Sequence, residues 1–385
     1  MLCAMSALIR NQKKVLYNYK TFFRSVNIQK DSNAPQITSV INKDESRELM
    51  AMWPDVVRDL TKDSRFADAP DITKWLEKML QYNVPKGKMT RATDLVYAYK
   101  QLAPPDQVTD GNIRLARILG WCNEMLQAFF LMEDDIMDHS KIRRGQPCWY
   151  LHNDIGLAAV NDGILVEQMI YQLLQIHFRE KSCYLDLVDT FHENIYLTAV
   201  GQSLDLLSTN NGKKPNLNIF TMDRYKSIIK YKTAYYTCVL PVVLAMHLAG
   251  IKDSEKFKQA TNILLEIGIF FQIQDDYLDS FGDSSVTGKI GTDVEEGKCT
   301  WLVVVALERV TPAQRKILEE CYGENDSKKI AKVKDLYNEL GLQTIYSAYE
   351  EESYNLINTH IKQMSCGMPR DLFLTILHKF YRRNM

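Results

Sequence analysis

An acidic motif, Gln127-Ala-Phe-Phe-Leu-Met-Glu-Asp-Asp-Ile-Met-Asp138, ends a segment whose apolar residues recur every three or four positions. The segment, Arg114 to Asp138, contains no proline, and its periodicity predicts a long helix with one apolar face. Similar helical runs cover Gly163 to His177, Leu185 to Leu207, Phe220 to Gly250 and Phe257 to Asp279. No stretch shows the two-residue alternation of a half-buried strand, so we predict an all-α protein.

The acidic motif has a second copy, Phe270-Phe-Gln-Ile-Gln-Asp-Asp-Tyr-Leu-Asp279. Each copy places three aspartates at the same offsets: Asp134, Asp135 and Asp138 form the first claw, and Asp275, Asp276 and Asp279 the second. Helical residues four apart lie on one face, about 5.4 Å from each other. A lone copy is also typical of an exposed acidic patch, but two copies inside apolar helices favour cation binding. Oxygen ligands without His or Cys suit Mg²⁺.

Basic residues accompany both claws. They are Lys141, Arg143 and Arg144 after the first claw, Lys289 and Lys298 after the second, Lys86, Lys88 and Arg91 in an earlier loop, and Lys232 between the claws. A guanidinium group binds phosphate oxygens bidentately, whereas lysine acts as a mobile point charge. Singly these residues are typical of a solvated surface. Together with two claws they predict a pocket for two diphosphate groups.

Composition limits the other possibilities. The chain has 385 residues and a net charge of −1, which argues against a general nucleic-acid-binding protein. The longest apolar stretch, Val239 to Gly250, is interrupted by Pro241 and His247. It is shorter than the roughly 20 residues that a transmembrane helix needs. The eight cysteines lie far apart without a CxxC pair, so we expect reduced thiols.

The amino terminus differs from the rest. Residues 1–30 carry six basic residues and no acidic residue. With their apolar and aromatic side chains they are typical of a mitochondrial presequence, and a disordered basic extension is the alternative. Residues 31–45 are predicted to be a linker. We therefore assign 1–45 to an extension and 46–385 to one domain, in a protein that is mitochondrial if the extension is a presequence and cytoplasmic otherwise.

Both claws and their flanks resemble those of animal, in particular insect, farnesyl diphosphate synthases, in the trans-isoprenyl diphosphate synthase family. Three further segments support the resemblance: Arg143-Arg-Gly-Gln146, Tyr231-Lys-Thr233 and Val286-Thr-Gly-Lys-Ile-Gly-Thr-Asp293. The similarity runs from about residue 47 to the carboxyl terminus. It implies the isoprenoid synthase fold, a single large bundle of antiparallel helices around a deep central cavity, in a homodimer.

The resemblance also implies an activity and a cofactor. Isopentenyl diphosphate would condense head to tail with dimethylallyl diphosphate and then geranyl diphosphate, giving farnesyl diphosphate by ionisation of the allylic diphosphate and capture of the carbocation. Three Mg²⁺ ions per site are implied, with Mn²⁺ as a substitute. The implied direct ligands are Asp134, Asp138 and Asp275, supported through water or hydrogen bonds by Asp135, Asp276, Asp279 and Asp293.

Two diphosphate sites follow from the same resemblance. The allylic diphosphate would contact Arg143, Lys232 and Lys289. Isopentenyl diphosphate would contact Gly87, Lys88, Arg91, Gln127 and Arg144, with the basic tail Lys379–Arg383 closing over it. The implied catalytic groups are the Lys232 carbonyl, the Thr233 hydroxyl and the Gln272 amide, which face the carbocation.

Phe129 and Phe130 lie about one helical turn before Asp134, where their rings can form the floor against which a growing chain stops. The resemblance implies that bulky residues at these positions limit the product to fifteen carbons. Ordinary core packing is the alternative for this pair, and Phe270 and Phe271 are interpreted as core residues.

The sequence departs from the family pattern at four positions. Lys86 replaces a glycine, Thr90 an asparagine, Glu133 a small residue and Ala199 a glutamate. Lys86 either crowds the backbone approach that glycine permits or adds a charge to the isopentenyl diphosphate site. We therefore expect an active but specialised enzyme. The alternatives are a synthase of different chain length or substrate preference, a class I terpene cyclase, a weakly active partner subunit, and a helical scaffold that binds neither metal nor diphosphate.

Overall fold

The computed structural model describes residues 37–62, 64–209, 214–282, 291–365 and 367–381, with side chains from residue 44 onward. Contacts divide the chain into two units, Met1–Val40 and Ile41–Met385. The predictions for the presequence, for Lys289 and for Arg382 and Arg383 concern residues outside the described part. The first described helix begins at Ile37, so the end of the predicted linker is helical.

Fifteen α-helices make up most of the described residues, which confirms the all-α prediction. They are α1 (Ile37–Thr61), α2 (Pro70–Asn83), α3 (Thr90–Leu102), α4 (Asp110–Met137), α5 (Ala159–Phe178), α6 (Tyr184–Ser208), α7 (Met222–Ile229), α8 (Leu240–Leu248), α9 (Ser254–Phe281), α10 (Asp293–Glu296), α11 (Trp301–Leu307), α12 (Pro312–Cys321), α13 (Ser327–Glu339), α14 (Leu342–Lys362) and α15 (Arg370–Phe380). Four of the five predicted helical runs match α4, α5, α6 and α9 within a few residues. None of the helices described is long and apolar enough to cross a bilayer.

Side-chain caps fix where the two claw helices begin. Thr109 accepts a hydrogen bond from the backbone N–H of Asn112 at the start of α4, and Asp253 accepts one from Glu255 at the start of α9. Helix α3 has no such cap, because its N-cap residue, Met89, has an apolar side chain and a left-handed backbone with φ 53°. The first-turn N–H groups of α3 therefore receive no acceptor from the N-cap side chain.

The fifth predicted run is not one regular helix. Between α7 and α8 the chain is π-helical over Lys230–Val239. Two glycines let neighbouring helices approach this π segment: a Cβ on Gly201 of α6 would lie 2.1 Å from the Lys232 nitrogen, and one on Gly268 of α9 would lie 2.6 Å from the Ala234 Cβ. π-helical turns are rare and concentrate at functional sites.

Among the described residues, a small hairpin is the one departure from the prediction of no strands. Strands β1 (Ile142–Arg143) and β2 (Gln146–Pro147) pair antiparallel, with Arg143 opposite Gln146. The two turn residues, Arg144 and Gly145, have φ of 53° and 75°. Positive φ at both positions is typical of a two-residue hairpin turn. Strands of two residues are too short to produce a detectable alternation in the sequence.

Two hydrophobic cores lie in the described residues. The first includes Trp121 and Leu173 and takes most of its side chains from helices α1–α6, α8 and α15. The second includes Val303 and Tyr337 and takes its side chains mainly from α7 and α11–α14. Helix α9 contributes side chains to both cores. The π segment connects α7, which contributes to the second core, with α8, which contributes to the first. The six described cysteines are buried free thiols.

Candidate active site

The first claw lies at the carboxyl end of α4. Asp138 follows the last residue of the helix, and its backbone N–H donates to the carbonyl oxygen of Asp134 at 2.8 Å. This geometry places the two side chains one turn apart, as the motif predicts. In the described part of the chain, no three His, Cys, Asp or Glu side chains gather closely enough to hold a metal ion.

Two lysines bind the carboxylates of the first claw. Lys232 donates to Asp134 Oδ1 at 3.1 Å, and Lys298 donates to Asp138 Oδ2 at 2.5 Å. Asp205 of α6 accepts from both ammonium groups, at 2.7 Å from Lys232 and 3.1 Å from Lys298. The site therefore contains a chain of alternating charges that reaches from α4 to α6, the π segment and the loop before α11.

These contacts shift the pKa values of Asp134 and Asp138 in the first claw. Burial acts to raise the pKa of Asp134, but the charges of Lys232, Lys298 and Arg143 outweigh it and hold that pKa below its ordinary value. Burial and the neighbouring charge of Asp134 raise the pKa of Asp138. The two carboxylates are thus close enough to repel each other, and they need positive charge nearby.

The donor set of the first claw fits a hard divalent cation. Asp134 and Asp138 offer oxygen atoms one turn apart, and the ammonium groups that now neutralise them can be taken over by diphosphate oxygens. A cation bound there would supply the positive charge that Lys232 and Lys298 now give these two aspartates.

Asp135 contacts the hairpin rather than the lysines. Arg143 Nε donates to Asp135 Oδ1 at 2.9 Å, and the same guanidinium group lies 3.7 Å from Asp134 Oδ2. A cavity of about 20 Å³ lies beside this pair and is lined in part by Arg144. Strand β1 thus brings Arg143, predicted for the allylic diphosphate, next to the first claw.

In the second claw, Asp276 is fully engaged in hydrogen bonds. It is 5% exposed and accepts from the Tyr225 hydroxyl at 2.7 Å, the Trp301 backbone N–H at 2.8 Å and Gln272 Nε2 at 2.9 Å. Burial raises its pKa to about 7. This arrangement favours a supporting role for Asp276 over direct metal ligation.

The other two carboxylates of the second claw differ in exposure. Asp279 is buried and accepts from the backbone N–H groups of Thr292 and Asp293 at 3.2 and 3.1 Å, which ties the start of α10 to α9. Asp275 is the least buried of the three. It is therefore the member of the second claw best placed to reach a ligand.

The residues predicted for isopentenyl diphosphate lie together. Arg91 donates to Gln127 Oε1 and to Thr237 Oγ1, each at 2.7 Å. A Cβ on Gly87 would lie 3.0 Å from Arg144 Nη2, so the absence of a side chain there makes room for this guanidinium group. Lys88, in the same loop, is exposed. The tail residue Lys379 pairs with buried Asp94 of α3.

The predicted catalytic groups lie on two packed elements. Lys232 and Thr233 belong to the π segment, and Thr233 is half-buried. Gln272 lies on α9, one turn before Asp276, to which its side-chain nitrogen donates. Because Gly268 has no side chain, these two elements can pack closely against each other.

The predicted chain-length residues pack against one wall of the first core. The ring centroids of Phe129 and Phe130 lie 5.0 Å apart, and Phe130 meets Tyr236 edge-on at 5.4 Å. Both are partly buried, whereas Phe270 is 2% exposed, as expected for a core residue. Their role in chain length stays a prediction.

The departures from the family pattern have different surroundings. Lys86 is exposed, donates to Gln146 at 2.6 Å and lies 4.4 Å from the centre of the Tyr82 ring. Glu133 fits because Gly163 has no side chain: a Cβ there would lie 2.0 Å from Glu133 Oε1. Thr90 is the first residue of α3, and Ala199 is exposed on α6.

Two site residues are not apparent from motifs. Asp205 and Gln202 lie one turn apart on α6, and Gln202 donates to Asp134 Oδ1 at 3.0 Å. The available signal is a single acid inside an apolar run, Leu204-Asp205-Leu206-Leu207. A buried acid of this kind needs a cationic partner, which points to a functional cluster.

The chain is similar in sequence to known proteins. The family model of polyprenyl synthetases matches residues 73–340. The farnesyl pyrophosphate synthase of Nezara viridula is 52% identical over 343 residues, covering 89% of this chain and 84% of that protein. The farnesyl pyrophosphate synthase of Gallus gallus is 44% identical over 348 residues, covering 90% and 95%.

Solved structures are similar as well. The farnesyl diphosphate synthase of T. brucei, complexed with risedronate, superposes with a TM-score of 0.80 at 32% identity, covering 88% of this chain and 99% of that one. Since the family model spans more than half of the sequence and the curated relatives about nine-tenths of it, the chain belongs to the polyprenyl synthetase family, among its farnesyl pyrophosphate synthases.

Proposed function

We propose that the protein joins isopentenyl diphosphate to dimethylallyl diphosphate and then to geranyl diphosphate, forming farnesyl diphosphate and releasing diphosphate at each step. The observation that carries this proposal is that one helix, α4, contacts two clusters of cationic side chains. Gln127 belongs to the cluster of Arg91, and Asp134 to the cluster of Lys232. Seven helical residues, or about 10 Å, separate them. Two diphosphates held there would bring their five-carbon chains together.

The family is generally metal-dependent, and we infer that Mg²⁺ is the metal here, with three ions per site and Mn²⁺ as a substitute. The residues that would ligate the ions are Asp134, Asp138 and Asp275. Those that would support the ions through water or hydrogen bonds are Asp135, Asp276, Asp279 and Asp293. When bound, the ions neutralise the departing diphosphate.

The cations of the chain prepare the allylic substrate. Lys232 and Arg143 exchange their carboxylate partners for oxygens of the allylic diphosphate, with Lys289 as a third contact. Their charge favours departure of the diphosphate, so the carbon–oxygen bond breaks. The Lys232 carbonyl, the Thr233 hydroxyl and the Gln272 amide oxygen then stabilise the allylic cation in place of water. The alkene of isopentenyl diphosphate attacks this cation, and a proton passes to the released diphosphate.

Isopentenyl diphosphate would bind to Gly87, Lys88, Arg91, Gln127 and Arg144. Arg91 Nε is buried and has no hydrogen-bond partner among the described residues. A buried donor without a partner is costly, so this nitrogen is available for a ligand. The rings of Phe129 and Phe130 would then limit the product to fifteen carbons.

We also propose a homodimer. Large apolar side chains on and near α5 and α6 are exposed, among them Leu157 at 74%, Ile164 at 49% and Leu185 at 70%. Exposed apolar patches typically mark interfaces between proteins. Sedimentation equilibrium should give twice the chain mass of 44.5 kDa, and Leu185→Glu combined with Ile164→Glu should give monomers. A monomeric wild type would contradict the dimer.

We propose mitochondrial import through residues 1–30, on the strength of their six basic residues and absent acids. A fluorescent protein fused to residues 1–45 should enter mitochondria. Cytosolic fluorescence would instead support a basic extension and a cytoplasmic enzyme.

Product analysis tests the main proposal. The full chain is incubated with Mg²⁺, isopentenyl diphosphate and either dimethylallyl or geranyl diphosphate, and the products are identified by mass spectrometry. Farnesyl diphosphate as the main product, lost on addition of EDTA, is the expected result. Geranyl or longer products would contradict the chain-length assignment. Absence of product from either allylic substrate would support the weakly active partner subunit.

A further inference from the structure

Glu124 is a buried carboxylate that the reaction above does not use. It lies on α4, one turn before Gln127, and is 2% exposed. Its Oε1 accepts a hydrogen bond from the backbone N–H of Ala92 at 3.1 Å. Burying an acidic group is costly unless hydrogen bonds and opposite charges compensate it. The partners of Glu124 therefore indicate what it does.

The first partner is the open end of α3. Met89, at the N-cap position, offers no side-chain acceptor. Ala92 is the third residue of the helix, and its N–H is one of the donors that lack a partner within the helix. Glu124 thus caps α3 from a different helix. The capped turn contains Arg91 and directly follows the loop of Gly87 and Lys88.

The second set of partners is a pair of guanidinium groups. A Cβ on Gly87 would lie 3.0 Å from Arg144 Nη2 and 3.6 Å from Glu124 Oε2, so the two side chains approach each other at this glycine. Burial raises the pKa of Glu124, and the charges of Arg91 and Arg144 act against that rise. Arg91 also repels Arg144. The charge of Glu124 therefore favours both guanidinium groups, and Asp135 adds to this effect at Arg144.

We propose that Glu124 is a positioning residue for isopentenyl diphosphate: it fixes the first turn of α3 and holds Arg91 and Arg144 where their free donors face one diphosphate. This inference rests on the proposed function, which assigns that substrate to these arginines. Removing Glu124 should weaken the isopentenyl diphosphate site and leave the allylic site on the far turns of α4 unaffected.

Steady-state kinetics of three variants test the proposal. Glu124→Gln keeps an oxygen for Ala92 but removes the charge, and Glu124→Ala removes both. We expect Glu124→Gln to raise KM for isopentenyl diphosphate about tenfold, with kcat and KM for geranyl diphosphate changed less than about twofold. Glu124→Ala should raise the same KM further. The matched control is Glu350→Gln, a carboxylate 3% exposed that accepts from Gln274 and Tyr346, and it should leave both KM values unchanged.

Isothermal titration of each protein with isopentenyl diphosphate alone should show the same weakening as the KM values. An unchanged affinity in Glu124→Gln, or equal KM changes for both substrates, would overturn the positioning role. If Glu124→Ala fails to fold, Glu124→Gln still decides the question. A wild type that binds isopentenyl diphosphate but forms no farnesyl diphosphate would overturn the proposed function and leave this inference standing.

Discussion

Lys298 donates to Asp138 at 2.5 Å, and the two side chains are 12% and 10% exposed. The contact joins the loop between α10 and α11 to the end of α4, which carries the first claw. The lysine supplies the positive charge that Asp138 needs, because burial and Asp134 both disfavour a bare carboxylate there.

Replacing Lys298 with methionine would leave Asp138 and Asp205 without their shared cation. We expect the free energy of unfolding to fall by about 3 kcal/mol in metal-free buffer, as is typical when one partner of a buried ion pair is removed. Millimolar Mg²⁺ should restore part of this loss, since an ion that binds only the folded state stabilises it. Urea titrations with and without Mg²⁺ measure both effects. Lys252→Met, which removes an exposed pair with Asp186, is the control, and an equal Mg²⁺ response in both variants would refute the prediction.

Gly201→Ala should damage the π segment. The added Cβ would lie 2.1 Å from the Lys232 backbone nitrogen, so α6 or the π segment must move, at a cost of about 1–3 kcal/mol. Because Lys232 and Thr233 move with it, kcat should fall as well. Gly111→Ala, where the new Cβ meets no atom within 4 Å, is the matched control. Chemical unfolding and steady-state assays should separate the two variants, and identical behaviour would count against close packing at Gly201.

Phe130→Ala should lengthen the product. Removing a ring that packs between Phe129 and Tyr236 opens space beside the first core, and a chain of twenty carbons should then form alongside farnesyl diphosphate. Phe270→Ala serves as the comparison, because that ring is a buried core residue; it should cost about 3 kcal/mol or more of stability without lengthening the product. Mass spectrometry of the products distinguishes a chain-length role from core packing. If Phe130→Ala forms only the fifteen-carbon product, the core-packing alternative is supported.

Lys86→Gly tests the change from the family pattern. Lys86 links the basic loop to the hairpin through Gln146 and Tyr82. Without this link the loop of Gly87 and Lys88 should be less ordered, so we expect KM for isopentenyl diphosphate to rise about threefold, as an exposed contact is worth less than 1 kcal/mol. Lys86→Met, which keeps an unbranched side chain of similar length but removes the charge, should have a smaller effect. An unchanged KM in Lys86→Gly would remove any role for this lysine.

Glu45 should make stability depend on pH. Burial acts to raise its pKa, but hydrogen bonds from Arg117 and Lys100 outweigh this and lower it. A carboxyl group whose pKa is lowered by folding stabilises the protein above the pKa of the unfolded chain, and that contribution is lost as pH falls through the folded value. Glu45→Gln should therefore destabilise the protein at neutral pH, with a difference that shrinks below the ordinary glutamate range. A difference that is constant with pH would contradict this assignment.

Periodicity and the repeated motif were sufficient to predict the helices that matter most. The apolar rows of α4 and α9 decide both their length and the face on which each claw lies. The π segment was not predictable, because a helix widened over one stretch still shows an apolar residue every three or four positions. The hairpin was not predictable either, because strands of two residues are too short to show an alternating pattern.

The predictable part of the site is the part that repeats or clusters in sequence. Asp134 and Asp138 share a motif, and Arg143 and Arg144 follow it closely. Asp205 and Glu124 are single acids in apolar helices, and only the folded chain reveals their lysine and arginine partners. Similarly, the hydrogen bonds of Asp276 to Tyr225 and Trp301 depend on helices distant in sequence.

In genetic terms, a widened helical turn accommodates one extra codon, because a π-helical N–H bonds one residue further back than an α-helical one. Deletion of one codon within 230–239 would therefore let that turn become α-helical, while the residues after it keep their faces. Leu240 would stay in the first core, but the backbone that carries Lys232 and Thr233 would change course. An in-frame deletion that alters neither claw and neither core would therefore displace the groups proposed to face the carbocation.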